Sequence, residues 1–424
     1  MDLTNTDRAR PRIRRLNEQA VLDAVFAFGP TGRVEISRRT GLSKPTVSSI
    51  VEELVRLGLV RLDGTSIEGR VGRASQLYRV DGHVGYVIGV DLGGTKIRAA
   101  ISDLYGVVLE EVAEPTAQTG AGDVIRQIVR LARDLGQRSG VDSTRVRVLS
   151  VGTPGTVNPK TGEISLAFNI PPFADVPLAK ELAAETHLAV VVENDVNAAA
   201  VGERWKGIAQ RSDNFVFLAI GTGVGMGIVI NGELWRGARG AAGEVGYLPL
   251  GEDPFDVAFR KRGWFEEAIA GSGIVRRVER ELKRGTNSQL MPGVNAVAIF
   301  DAAVKGDAVA LKVVDEEARD VALGIAAIAA VLAPELVVLG GGIGASPLLL
   351  APVRKYVEEL VPQPVRVESS GLGHRASLVG ALAIGLDEAR SSVFPAAEAS
   401  ATRPIATGSF MHTAAPEEGQ ASDG

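Results

Sequence analysis

The sequence predicts an α/β protein in two parts, a winged helix-turn-helix head followed by a larger two-lobed body, and three observations lead there. Helical spacing of apolar residues occurs twice before residue 60, with a short helix-compatible segment between them that ends at a glycine suited to a turn. Further on, two glycine-rich turns, each set between apolar strand-like runs, lie about 130 residues apart. Charge is also divided: residues 1–82 hold 14 lysines and arginines against 10 acids, net +4 in a chain whose formal charge is -5. A basic head on an acidic body fits a chain that meets nucleic acid only with its head.

The head is expected over residues 1–82. Arg8, Arg10, Arg12, Arg14 and Arg15 read as a basic arm. Leu16, Ala20, Val21, Ala24, Val25 and Phe28 then mark a first helix, closed by Gly29-Pro30. A second helix fits Val34–Thr40, and Gly41 suits the tight turn after it. Ser43 supplies an N-cap for a third helix, whose apolar stripe is Val47, Ile50, Val51, Leu54 and Leu57. This leaves Lys44, Thr46, Ser48 and Ser49 outward near its start, short donors and acceptors with one cation, suited to base edges and phosphates. Leu59–Leu62 and Gln76–Val80 read as strands flanking a basic loop, in which Arg70 and Arg73 would enter a minor groove or hold phosphates. The expected partner is double-stranded DNA carrying an operator.

The body is expected over residues 83–390. Val84–Val90 and Ile97–Ser102 read as strands around Asp91-Leu92-Gly93-Gly94-Thr95-Lys96. Such a hairpin can turn backbone N–H groups to phosphate oxygens while the Asp91 carboxylate reaches a magnesium ion; a plain tight turn is the alternative. A second turn, 221–227, lies between Phe215–Ile220 and Ile228–Ile230, and the pair suggests two related lobes facing a nucleotide. A third glycine run, 340–344, follows the strand Leu336–Leu339 and the helix Asp315–Ala333. It matches GxGxxA, but the hairpins have no place in a dinucleotide-binding unit. Glu193-Asn194-Asp195 sits at the end of the strand Ala189–Val192, where an α/β fold exposes functional groups, and an aspartate there can take a proton from a sugar hydroxyl. Glu244, in a glycine-rich segment, and Glu266 beyond it could approach a small polyol.

Composition excludes other chemistry. With no cysteine, disulfides, thiolate metal sites and cysteine nucleophiles are ruled out, and four histidines leave little for a histidine metal site. The apolar run 321–334 is too short to span a bilayer, and the arginine-rich start does not resemble a signal peptide, so no membrane partner and a cytoplasmic location are expected. Residues 391–424, rich in Ala, Ser, Thr, Pro and Gly, read as a disordered tail.

Six motifs together resemble the ROK family of repressors and sugar kinases: DLGGTK at 91–96, GTPGTV at 152–157, ENDVNAAA at 193–200, GTGVGMG at 221–227, GARGAAGEVGY at 237–247 and LGGG at 339–342. The resemblance covers residues 85 to about 387. It implies an actin-like, hexokinase-like fold, with Gly155, Asn194, Asp195, Glu244, Tyr247 and Glu266 around a sugar and Asp195 as the base if the chain is a kinase. It further implies Asp91, Gly93, Gly94, Thr95, Lys96, Gly221, Thr222, Gly223, Gly341 and Gly342 as nucleotide-binding positions, with MgATP as the cofactor of a kinase. Family members commonly carry histidine at the place of Tyr247, joined by a cysteine cluster to bind zinc. Residues 251–263 here hold no such ligands, so no zinc is expected, and Phe255, Phe259, Trp264 and Phe265 would hold the loop by packing. The head places the chain with the family's regulators: a sugar-responsive repressor acting as a homodimer or dimer of dimers, with a sugar kinase or a bifunctional protein as the alternative.

Overall fold

The structure, a computed structural model, describes residues 6–66, 75–165, 177–250 and 262–393. It forms two compact units, one of Met1–Val84 with the chain from Arg390 onward, the other of Gly85–Ala389. The expected tail lies outside the described residues beyond 393.

In the head, α1 (Thr6–Phe28), β1 (Thr31–Gly32), α2 (Arg33–Thr40), α3 (Lys44–Arg56), β2 (Val60–Ser66) and β3 (Ser75–Val80) follow in order, and the strands lie β1-β3-β2. The expected basic arm is a correction: helix α1 already begins at Thr6, so those arginines stand on it, in keeping with arginine's good helix propensity. Gly41 ends α2 at φ 70°, its amide donating to the Ser37 carbonyl at 3.0 Å. Val47, Ile50, Val51 and Leu54 of α3 are buried with Val21, Val25 and Ile36, each stabilising the unit by roughly 1.5–3 kcal/mol. Leu57, expected in this stripe, is 53% exposed because α3 ends there, with Leu57 as its C-cap. The Arg390 guanidinium lies 4.2 Å from the centre of the Phe26 ring within the same unit. Arg70 and Arg73 lie outside the described residues.

The body repeats one plan twice. Its first half runs β4 (Tyr86–Leu92), β5 (Lys96–Asp103), β6 (Val108–Pro115), α4 (Ala121–Arg138), β7 (Val146–Thr153), the small pair β8 (Thr156–Val157) and β9 (Ile164–Ser165), α5 (Leu178–Thr186), β10 (Ala189–Asn194) and α6 (Asp195–Lys206). The second half runs β11 (Phe215–Ile220), β12 (Val224–Ile230), β13 (Glu233–Leu234), α7 (Trp264–Ile269), α8 (Gly271–Lys283), α9 (Ala296–Val304), α10 (Ala308–Leu332), β14 (Leu336–Gly340), α11 (Gly341–Gly344), α12 (Pro347–Leu360), β15 (Arg366–Ser369) and α13 (Ala376–Val393). The sheets are ordered β10-β7-β4-β5-β6 and β13-β12-β11-β14-β15, each an antiparallel triplet continued by two parallel strands. Both glycine turns are shorter than expected: Asp91, Leu92 and Lys96 belong to strands in the first, as do Val224–Gly227 in the second.

Apolar residues on one face of the first sheet pack with α4 and α5, giving a core that includes Val90, Ile97, Ile128 and Leu149. The second sheet has a larger core with α7–α10 and α12, where Phe265 fills the space left by Gly324, on which a Cβ would meet the ring at 2.1 Å. Trp264 is half-buried, while Phe255 and Phe259 lie outside the described residues. A buried Arg277–Glu317 pair, 2.7 Å apart, ties α8 to α10 in this second core. The last helices of the halves, α6 and α13, cross at glycine: a Cβ on Gly380 would lie 1.6 Å from the Ala198 carbonyl oxygen, and one on Gly202 would lie 2.3 Å from that of Ala376. That contact brings the inner faces of the two sheets toward one cleft.

Candidate DNA-reading helix and ligand cleft

At the start of α3, Ser43 Oγ accepts from the Thr46 amide at 3.3 Å and lies 2.8 Å from Thr46 Oγ1. Thr46 is therefore half-buried and engaged in the cap, and Ser48 is half-buried too, while Lys44 and Ser49 are exposed. The neighbouring arginines are compensated: Arg38 and Arg39 both meet Glu35, whose carboxyl they hold down at about 2. Lys44 makes no ion pair among the described residues, so its charge is open to a phosphate.

In the body a cavity of about 530 Å³ lies between the halves. Of the residues singled out from the sequence, Gly93, Gly94, Thr95, Gly155, Asn194, Asp195, Gly221, Thr222, Gly223, Glu244, Tyr247, Glu266 and Gly341 line it. Asp91, Lys96 and Gly342 do not: Lys96 and Gly342 are exposed, and Asp91 is buried beside Arg98. Arg262 lines the cavity as well and had no signal in the sequence beyond being a cation near Glu266.

Asn194 ends β10 and caps α6, its Oδ1 accepting from the Val196 and Asn197 amides at 3.0 and 2.9 Å. Its Nδ2 donates to the Gly155 carbonyl at 2.9 Å. Asp195, the first residue of α6, is held by the Val196 amide at 2.9 Å, and its pKa is pushed up to about 7, first by burial and then by the nearby charges of Asp91 and Glu244. Glu244 accepts from Thr156 Oγ1 at 2.9 Å, a partner hidden in the GTPGTV motif. Glu244 reaches the cleft because Gly243 runs against β12 with φ 92°, where a Cβ would sit 1.7 Å from the Met226 carbonyl oxygen. Glu266 accepts from the Val224 amide at 2.9 Å, and burial raises its pKa. Tyr247, 40% exposed, has its hydroxyl pKa raised by burial and by Glu244 and Glu266. Behind them Glu193, buried in β10, takes Arg236 Nε at 2.6 Å and Asn197 Nδ2 at 2.9 Å, fixing the loop that leads to Glu244 against the end of β10.

Such a site can hydrogen-bond several hydroxyls with carboxylates and an amide, and can turn glycine-backbone amides toward an anion. The described residues hold no cluster of three His, Cys, Asp or Glu side chains fit for a metal ion. At Asp91, where a magnesium ion was expected, the Arg98 guanidinium bonded to Oδ2 at 3.2 Å competes for the carboxylate.

Comparison with known proteins agrees with this layout, the ROK family matching residues 87–388. The chain belongs to the ROK family. An IclR helix-turn-helix domain matches residues 20–64, so the ROK domain here follows a DNA-binding head, as in the family's transcriptional regulators. The ROK domain is 35% identical over 311 residues to a glucokinase of Halalkalibacterium halodurans, covering 70% of this chain and 93% of that one. A xylose repressor of Caldicellulosiruptor bescii is 27% identical over 390 residues, covering 89% of this chain and 96% of its own, so the likeness runs through the head. The crystal structure of a ROK family transcriptional regulator, a homologue of the E. coli MLC protein, superposes with TM-score 0.75 over 89% of this chain and 96% of that one; at 24% identity it supports the fold alone. No helix among the described residues is long and apolar enough to cross a membrane.

Proposed function

We propose that this ROK regulator is a repressor that binds operator DNA through Lys44, Ser48 and Ser49 of α3, with Thr46 setting the helix start, and that a sugar in the cleft of the body changes its hold on DNA. Arg70 and Arg73, between β2 and β3 in the sequence, add phosphate or minor-groove contacts. The observation that carries the sugar reading is the convergence of Asn194, Asp195, Glu244 and Glu266 on one cavity in a chain that also bears a helix-turn-helix. Tyr247 and Gly155 complete the sugar subsite, and the turns at Gly93–Thr95 and Gly221–Gly223, with Gly341, form the neighbouring anion-binding part. The protein works without the cysteine-bound zinc of its family, since the whole chain has no thiolate to offer, and acts in the cytoplasm as a homodimer or dimer of dimers on paired half-sites.

The energetics are sufficient. A sugar that binds one conformation 100-fold better than the other biases the equilibrium by about 2.7 kcal/mol, enough to switch occupancy of an operator. A second reading, sugar phosphorylation with Asp195 as the base, is favoured by one observation: its pKa near 7 is suited to accepting a hydroxyl proton at neutral pH.

The test couples two measurements on the full chain. Melting temperature is followed against a panel of neutral sugars, and binding is followed against DNA fragments selected by the protein from a random pool. A stabilising sugar should shift the DNA affinity, Lys44→Ala should weaken DNA binding with the sugar response intact, and Glu244→Gln should do the reverse. Sugar binding that leaves DNA affinity unchanged overturns the reading.

A further inference from the structure

The register of β4 and β5 sets Asp91 directly opposite Arg98, so both side chains leave the same face of the sheet. Arg98 Nη1 donates to Asp91 Oδ2 at 3.2 Å, and the two side chains are only 19% and 10% exposed. The face is the one turned toward α6 and α13, since a Cβ on Gly89, two residues earlier in β4, would meet Leu382 of α13. Asp91 is near enough to Asp195 for its charge to be felt there. Two carboxylates beside a phosphate-binding turn call for a positive charge, which in phosphoryl-transfer sites is a divalent cation.

We infer that Arg98 is a built-in counter-ion that takes the place of a divalent metal at Asp91, so that ligands of this cleft bind without a stoichiometric divalent cation. Placing an ion on Asp91 would strip Arg98 of its partner in a largely buried position, and the displaced guanidinium would still repel the ion at short range. A magnesium ion, which sheds water reluctantly and needs near-octahedral oxygen donors, would find only Oδ1 of Asp91 clear of Arg98, beside an Asp195 whose raised pKa leaves it partly protonated, and gains too little there to offset this. The pair also gives the hairpin a fixed charge balance whether or not a nucleotide is present. Anion binding at the glycine turns is then independent of magnesium.

This inference rests on the cleft being the ligand site proposed above, and the experiment keeps the two apart. Manganese, as the probe, is titrated into the nucleotide-free full chain and followed by electron paramagnetic resonance. The sugar-induced melting shift is recorded separately, in EDTA. The natural chain should show no saturable manganese site, and its sugar shift should survive EDTA. Arg98→Ala should gain a manganese site at least about tenfold tighter, and Arg98→Ala with Asp91→Asn should lose it again. If Arg98→Ala does not fold, Arg98→Gln, which keeps the side-chain stem, takes its place. A saturable site in the natural chain that vanishes in Asp91→Asn overturns the inference without need of the arginine variants, and so does an arginine variant that gains nothing. A missing sugar shift in EDTA with no manganese bound to the natural chain counts against the sugar reading alone.

Discussion

The two halves of the body share a strand order yet use the same rung of their first hairpin differently. In β4–β5 the second pair from the turn is Asp91 with Arg98; in β11–β12 it is Ala219 with Gly225. A Cβ on Gly225 would come 3.1 Å from a methyl of Val196, and one on Gly227 would come 2.7 Å from Ala200. The first half therefore gives this position to charge, and the second gives it to the close seating of α6. A common scaffold fixes where the hairpins go, and local side-chain size decides whether a hairpin meets a ligand, an ion or a helix.

The two halves tolerate change least where they join. Gly380→Ala should cost about 4 kcal/mol or more, because the new methyl meets a backbone carbonyl rather than a side chain that can turn away. Gly202→Ala should cost somewhat less, and denaturant titration of both variants orders them. Next comes the second core: Arg277→Ala takes the guanidinium from both Glu317, whose pKa burial already pushes up to about 8, and Asp320, and should lose about 1–3 kcal/mol in the same assay. In the first half no ion pair is buried to this degree among the described residues.

A pH profile separates the cleft from the cores. Because the Asp195 pKa is raised in the folded chain from 3.8 to about 7, the folded state holds that proton more tightly, and stability falls as pH rises through this window. Asp195→Asn should therefore melt like the natural chain near pH 4 and gain on it up to pH 7, reaching about 2 kcal/mol once solvent in the open cleft is allowed for. An advantage that is equal at every pH would mean that the carboxylate carries no such shift. The smallest contrast lies in the turns. Gly93→Ala pushes its methyl to 2.8 Å from the Lys96 carbonyl oxygen, whereas Gly221→Ala finds only the Gly342 amide at 3.8 Å, so the first should cost about 1 kcal/mol more than the second.

Much of this was legible in the residues. Ser43 caps α3 because serine before a lysine-proline pair and an apolar stripe has few other uses, and Asn194-Asp195 stands at the cleft because it follows an apolar strand. What was missed has physical causes. Glycines 225 and 227 read as turn residues, although in the strand they make room for a helix that sequence spacing does not reveal. Leu57 satisfied the helical period but fell on the cap, where the stripe no longer faces the core. Arg98 is legible too, since a hairpin turning at residues 93–96 pairs 91 with 98 by simple counting, although it lies beyond the DLGGTK motif. Arg262 and the Glu193–Arg236 link depend on how distant loops fold back, and nothing local announces them.

One side-chain amide, that of Asn194, both starts a helix and lies in the cavity wall, so the same group shapes the fold and borders the cleft. An alanine there would blur the two effects beyond repair. Aspartate, able to keep the helix start while giving up the donor to Gly155, is the replacement that would let a calorimeter tell them apart.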